Sequence, residues 1–405
     1  MLTPAEPDQG ELDNLGSFGQ RETHPHTTPV KISTLPTAPR SLTRGLGDLL
    51  VHNRGGLSGT AGQAGRPRGT LPPSRDDWSV TTIYYENDAD PELLAAETVA
   101  VVGYGNQGRS WALNFRDGGC EPVVCVRPDA TREQAAADGF SVHEVAEAGE
   151  ADVICILVPD DVVPLLELRP GPASYVIVAS GYTLAFGRLH PPGDSGLVAP
   201  RMLGPEVRRC YEEGVGFITA VGVHHDATGR ALRRVLAVAH AIGGLKQGAI
   251  ELTPKQEAVL DLGVEQVLSP ALTAVNNAFV LTMLERGIPL EAIVTELVLS
   301  GEVERTYRLL REVGYAVQSE FHSPTSQYGQ LTRRGRYDHL DFLTTMRSTA
   351  EEIESGRFAD EWDAERESGY ATLNRLKEQY AGAAVKEFEA DLRRRLGPGV
   401  VAQPA

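Results

Sequence analysis

The sequence predicts an α/β fold in which a doubly wound parallel sheet is followed by an all-helical domain. Three observations carry this. Short β-branched runs alternate with stretches of helical composition from Trp78 to about Leu252, a glycine-rich turn joins the first clear run to a helix, and beyond Leu252 the β-branched runs cease. Strands alternating with helices are the pattern of a parallel sheet covered on both faces.

Residues 1–78 precede this pattern and are rich in Pro, Gly, Thr, Ser and Arg, as in HPHTTPVKISTLPTAPR. Such a stretch holds too little apolar surface to offset the entropy of ordering it, so a disordered tail is expected. Residues 79–252 supply the runs TVAVVGYG, EPVVCVRP, ADVICILVP, SYVIVAS and GFITAVGV, read as strands of the sheet domain. Residues 253–405 read as consecutive helices, from LTPKQEAVLDLGVEQVLSPALTAVNNAFVLTMLERG to the C-terminal stretch.

The chain has 405 residues and a net charge of −17, which argues against a phosphate-backbone binder, because nucleic-acid affinity relies on clustered cations. The four cysteines, Cys120, Cys125, Cys155 and Cys210, show no metal or disulfide spacing and suit buried thiols in a reducing compartment. No continuous apolar run approaches the roughly 18 residues that span a bilayer, so a soluble, cytoplasmic protein with no membrane partner is expected.

The turn reads Val99-Ala-Val-Val-Gly103-Tyr104-Gly105-Asn106-Gln107-Gly108 and opens a helix. Glycines there allow a tight turn and the close approach of a pyrophosphate, which then rests on the positive end of the helix. Following a strand and starting an alternating α/β series, the motif points to a Rossmann-like dinucleotide site. At the end of the next strand Arg127, Thr131 and Arg132 favour the 2′-phosphate of NADP, while Asp129 in the same loop favours NAD; the lean is to NADP. Val158 and Pro159, followed by Asp160 and Asp161, lie where the nicotinamide half passes.

Asp261 and Glu265 are four apart, on one face of the first helix of the second domain. Two like charges so placed repel unless solvated or bridged by a divalent cation, and magnesium suits an all-oxygen set. Glu296, Glu302 and Glu304 are further acids from which spacing alone does not choose.

These residues resemble ketol-acid reductoisomerase, over about 80% of the chain, through YGNQGRSWALNFRDGG, APRMLGPE, DLGVEQ, HSPTSQYG and EEIESGRFADEW. The resemblance implies a knotted helical domain of the short single-repeat form, two magnesium ions, and a homodimer or dimer-based oligomer. It also implies that Asp261 bridges both metals, that Glu265 holds one, with Glu296 or Glu302 as a further metal ligand, and that Ser323 touches the small-molecule substrate. His322 and Thr325 share that segment as candidate contacts.

Three positions depart from the family pattern. Ser180 stands where the family has histidine, Arg201 stands for its lysine, and one of the two glutamates of its second metal helix is missing. Counting from Gly287 pairs Glu296 with Ser300, and counting back from Gly314 pairs Val298 with Glu302. A guanidinium does not act as a compact ammonium does, so Arg201 is a candidate either for the proton network or for a substrate carboxylate. The departures sit around substrate and metal, as expected for a specialised homologue of natural-product pathways, for instance one that closes a cyclopropanol ring. The alternatives are the housekeeping enzyme of branched-chain amino-acid synthesis and a non-catalytic dinucleotide sensor.

Tyr182, His224, His225, Asp226 and His322 also invite catalytic assignments, but His224 and His225 fit a structural role in a loop entering a helix, with Asp226 as its N-cap. Trp111 and Phe115, at helical spacing, are expected in the core.

Overall fold

In the computed structural model residues 81–396 are described. The tail expected over residues 1–78 lies outside them.

Each sheet strand forms where apolar residues run without a break. Val99–Val102 (β2), Val153–Ile156 (β5) and Tyr175–Val178 (β6) are buried at every position, as strands covered on both faces must be. The other strands are Ile83–Tyr84 (β1), Val123–Cys125 (β3), Val142–His143 (β4), Ser195–Pro200 (β7), Thr219–His225 (β8) and Ala249–Glu251 (β9). The nine strands lie in the order β1-β9-β8-β7-β6-β5-β2-β3-β4.

The run from β4 through β7 is parallel, as expected, but the sheet as a whole is mixed: β7 pairs antiparallel with β8, and β1 antiparallel with β9. The reason lies in the connection. The helix after β7, Gly204–Glu212, does not cross the sheet face; it packs on Asn106–Asp117 beside the glycine turn, so the chain re-enters the sheet from the end it left.

The helices of this half are Asn106–Asp117 (α1), Ala130–Ala137 (α2), Tyr182–Ala185 (α3), Gly204–Glu212 (α4) and Ala231–Ala241 (α5). They divide the core in two. Val99 and Val101 of β2 belong to the cluster holding Trp111, Phe115, Phe217 and Val235, whereas Ala100 and Val102 face the cluster of Ile154, Val176, Leu184 and Leu197. This is the period of two that a strand imposes. Trp111 and Phe115 are both fully buried, as expected, each contributing about 2–3 kcal/mol of apolar burial. Cys125 and Cys155 are buried, but Cys120 and Cys210 are only half-buried.

The helical half comprises Pro254–Gly263 (α6), Ser269–Glu285 (α7), Leu290–Val294 (α8), Glu302–Glu320 (α9, kinked at Gly314), Pro324–Arg333 (α10), Phe342–Glu354 (α11), Arg357–Glu367 (α12), Ala371–Ala381 (α13) and Ala383–Leu396 (α14). Thr253 starts it: its hydroxyl accepts from the Gln256 N–H while Gln256 reaches back, and Pro254 takes the first helical position. A π-helical turn, Val264–Leu268, carries α6 into α7 without a break. The resulting helix, Pro254–Glu285, is long and apolar enough by length and composition to cross a membrane, which qualifies the expectation that no such segment exists.

α11 folds back against α6, and α12 is tied to the sheet half by Arg188, which donates to Asp360 at 2.6 Å and Asp363 at 3.0 Å. In contrast, α7 to α10 pack chiefly on their own neighbours in sequence, leaving Leu272, Val275, Phe279, Leu281 and Leu284 exposed.

His224 and His225 end β8 and are exposed. Asp226 does accept from the first N–H of α5, at Ala231, but the capping position itself is Arg230. The loop is long enough for the carboxylate to reach back from outside the helix.

Candidate active site

The site forms beside β2, where the strand order reverses, with β3 paired on one side of it and β5 on the other. Gly103 has φ 95, a left-handed backbone, and a Cβ there would sit 2.7 Å from Val158 Cγ1. A Cβ on Gly108 would lie 2.1 Å from the Gly103 carbonyl oxygen, so the turn and α1 touch as only glycine permits.

Two cavities open beside this turn. One, of about 230 Å³, is lined by Gly103, Tyr104, Arg127, Asp129, Thr131 and Val158, the side expected from the sequence to take the adenosine ribose. The other, of about 340 Å³, is lined by Asn106, Gln107, Pro159, Asp160, Ser180 and Thr183, the side expected to take the nicotinamide. Gln107 donates to the Met202 carbonyl and accepts from Trp111, which fixes its amide at the cavity wall.

At the ribose end the expected cations are not free. Asp129 accepts from both the backbone N–H and the hydroxyl of Thr131, which hold its carboxyl below the usual range, and Arg127 lies 3.6 Å from its other oxygen. Arg132 donates to Glu144 at 2.6 Å and is not among the cavity residues.

At the other end, Asp261 and Glu265 occupy the end of α6 and the π turn. Burial and the Asp261 charge raise the Glu265 pKa. Arg201 bridges two acids, donating to Glu257 at 2.6 Å and to Asp261 at 2.8 Å. Glu257 is 1% exposed and also accepts from the Gly181 N–H at 2.6 Å. A Cβ at Gly181 would fall 2.2 Å from the Pro254 carbonyl oxygen, so glycine lets the segment after β6 close onto α6.

Asp160 joins the group: burial, followed by the charges of Glu257, Asp161, Asp261 and Glu265, pushes its pKa up to about 7. Two of these carboxyls, Glu257 and Asp261, share the Arg201 guanidinium, while Asp160 and Glu265 feel the charge of their acidic neighbours. That excess of hard oxygen donors fits a divalent cation of the magnesium kind, with Asp261 and Glu265 presented towards it from one helical face.

Sequence reasoning missed Glu257 and Thr183. Glu257 lies one helical turn before Asp261, a signal that was legible. Thr183, fully buried with a hydroxyl that has no partner, carried none. Ser180 lines the cavity, and its hydroxyl accepts from the Tyr182 N–H at 3.3 Å; Tyr182 itself is buried against Phe186, a core role.

The second set of residues lies elsewhere on the chain. Glu296 sits in a second π turn, Thr295–Leu299, and Glu302 begins α9 after the left-handed Gly301; both are exposed. Ser323 and Thr325 are exposed at the start of α10, and His322 is half-buried with Gln318 at 3.0 Å. Among the described residues no three His, Cys, Asp or Glu side chains converge on a metal position. Both π turns carry a candidate metal carboxylate, and such irregular turns are frequent at functional sites.

A dinucleotide-binding oxidoreductase fold with a carboxylate-rich helix at its nicotinamide end is the class this arrangement defines. Residues 93–248 match the family described as acetohydroxy acid isomeroreductase, NADPH-binding domain, and residues 255–397 match ketol-acid reductoisomerase, C-terminal domain. The chain is similar to a ketol-acid reductoisomerase (NADP(+)) of Caldivirga maquilingensis, 38% identical over 78% of this chain and 99% of the relative. A second, from Methanocaldococcus jannaschii, is 35% identical over 78% and 98%. Among solved structures it is similar to an NADH-preferring ketol-acid reductoisomerase from an uncultured archaeon, with a TM-score of 0.72 and 29% identity over 80% of this chain and all of the other. The chain belongs to the ketol-acid reductoisomerase family, and it is an NAD(P)H-dependent enzyme.

Proposed function

We propose that the enzyme converts a small hydroxy-keto acid by metal-assisted rearrangement and reduction, with its site completed by a second copy of the chain. The observation that carries this is the pairing of Glu257 and Asp261 through Arg201, with Glu265 beyond them on the same helix and Asp160 in the cavity wall feeling the charge of all three. When bound, magnesium supplies Lewis acidity to a ketone and its neighbouring alcohol, and the nicotinamide supplies hydride.

Asp261 and Glu265 would hold the cation, with Arg201 fixing the Asp261 carboxylate. Glu257, buried and anchored to Gly181 and Arg201, positions that guanidinium. Asp160, with a pKa near 7, can keep or release a proton at the cavity wall beside Ser180. Val158 and Pro159 line the cofactor path.

Two carboxylates are too few for a divalent ion, and Glu296, Glu302, His322, Ser323 and Thr325 lie on an arm whose apolar side chains are exposed. An open groove lined by Val259, Leu260, Val264, Val267 and Leu268 flanks the carboxylates. A dimer that seats this arm against another copy would bury those side chains and bring the missing acid and Ser323 to the metal. A protein partner of this kind accounts for the apolar helix Pro254–Glu285 without a membrane, and a cytoplasmic setting follows from that reading.

Arg201 favours a specialised substrate over 2-acetolactate. The guanidinium, spread over two acids, replaces a compact ammonium, and Ser180 offers a hydroxyl for an imidazole. The test is NADPH oxidation with racemic 2-acetolactate and, separately, with its rearranged product 3-hydroxy-3-methyl-2-oxobutanoate. Turnover of neither, with the cofactor still bound, supports the specialised reading; turnover of both establishes the housekeeping reaction. Turnover of the 2-oxo acid alone indicates hydride transfer without an alkyl shift.

A further inference from the structure

Tyr370 is the only non-glycine residue with a left-handed backbone among the described residues, at φ 63 and ψ 37. For a bulky residue this is a strained conformation, kept only where the surroundings demand it. It follows Gly369, at φ 73, so two left-handed residues in succession reverse the chain between α12 and α13.

The reversal turns the ring back against Trp362, with centroids 5.6 Å apart. The phenol donates to the Asp161 carboxylate, 209 residues earlier, and Arg366 donates to the Asp161 carbonyl at 3.4 Å. Asp161 directly follows Pro159 and Asp160, which line the nicotinamide cavity. From the same helix pair, Asp360 and Asp363 hold Arg188, just beyond the segment that carries Ser180 and Thr183 to the opposite wall.

The α12–α13 corner therefore grips Asp161 and Arg188, on the two segments that carry Asp160 and Ser180 to the nicotinamide cavity; Pro159 and Val162 of the first segment also line the other cavity, but Asp160, Ser180 and Thr183 do not. Asparagine or glycine would relieve the backbone strain but has no reach to Asp161. The strained backbone is kept where it places the ring on Trp362 and the hydroxyl on Asp161.

We propose that Tyr370 is a positioning residue that sets Pro159 and Asp160 against the nicotinamide half of the cofactor by holding Asp161. This rests on the dinucleotide assignment of the cavity and on nothing about the substrate.

The experiment measures binding of NADPH and of adenosine 2′,5′-bisphosphate, which lacks the nicotinamide half, to the full-length protein and to Tyr370→Phe. That substitution keeps the ring and removes only the hydroxyl. The expected result is an NADPH Kd raised about tenfold, with the Kd of the fragment changed by less than about twofold. In an Asp161→Ala background, Tyr370→Phe should have no further effect, as a coupled pair requires. If Tyr370→Phe does not fold, Asp161→Ala alone gives the comparison, because it breaks the same bond from the other side. Equal weakening of both ligands, which marks general damage, or no weakening of NADPH overturns the proposal. Failure of the unaltered protein to bind either ligand overturns the cofactor assignment beneath it.

Discussion

Arg201 donates to Asp261 at 2.8 Å, so the first carboxylate of the proposed metal pair is already held by a cation from the sheet half of the molecule. The same guanidinium is the charge partner of Glu257, which is 1% exposed. Arg201→Met leaves that acid buried and unpaired. The expected loss of stability is about 3 kcal/mol, seen as a lower Tm and denaturant midpoint. Arg201→Lys keeps a cation for Glu257 while loosening Asp261, so it should retain most of the stability and reach half-maximal activity at lower magnesium.

Gly181 and Pro254 meet so closely that a Cβ would stand 2.2 Å from the Pro254 carbonyl oxygen. Gly181→Ala must push α6 away from the cavity or unseat Glu257, at a cost of about 1–3 kcal/mol. The check is a fall in Tm accompanied by weakened magnesium binding, measured by calorimetry. An alanine variant with unchanged metal binding would contradict this packing.

The Asp160 carboxyl has its pKa raised to about 7, against an ordinary carboxyl range in the unfolded chain near 4. Between those values the folded state holds more protons than the unfolded, so metal-free protein should lose stability as pH rises from about 4 to 7. Asp160→Asn removes the charge and should flatten this slope. Saturating magnesium should flatten it too, because a cation offsets the neighbouring acids. Tm recorded against pH in chelator and in magnesium checks both.

Asp129 competes with a ribose 2′-phosphate for Arg127 and brings a charge of the same sign as the phosphate. Asp129→Asn keeps a side-chain acceptor for the Thr131 N–H, removes the charge and frees Arg127. The ratio of the NADH to NADPH Kd should rise about five- to tenfold, a shift that loop damage would not produce because both cofactors share the loop.

Much of this arrangement is legible in the sequence because it is local. The turn from Gly103 to Gly108 needs glycine for reasons visible in a ten-residue window, and the four-residue spacing of Asp261 and Glu265 places them on one helical face. What escaped depends on distant partners. The pairing of Arg132 with Glu144, and the antiparallel β7–β8 pair that follows from α4 packing on α1, both rest on partners outside the local window. The place of Glu257, one turn before Asp261, was legible, but its role was not, because its partners Arg201 and Gly181 come from two other segments. The apolar length of the helix Pro254–Glu285 was hidden by the Ser, Thr and Asn that interrupt the uncharged run from Gln266 to Leu284, although the π turn carries the helix on without a break.

The measurement that bears most directly on the central claim is NADPH oxidation by the purified protein with 2-acetolactate and a panel of small hydroxy-keto acids, with and without magnesium, repeated with Asp261→Asn. The account predicts turnover of at least one such acid that requires magnesium and falls by three orders of magnitude or so, about 4 kcal/mol, on that substitution, while NADPH binding is kept. Turnover that persists in chelator, or that Asp261→Asn leaves unchanged, would contradict it.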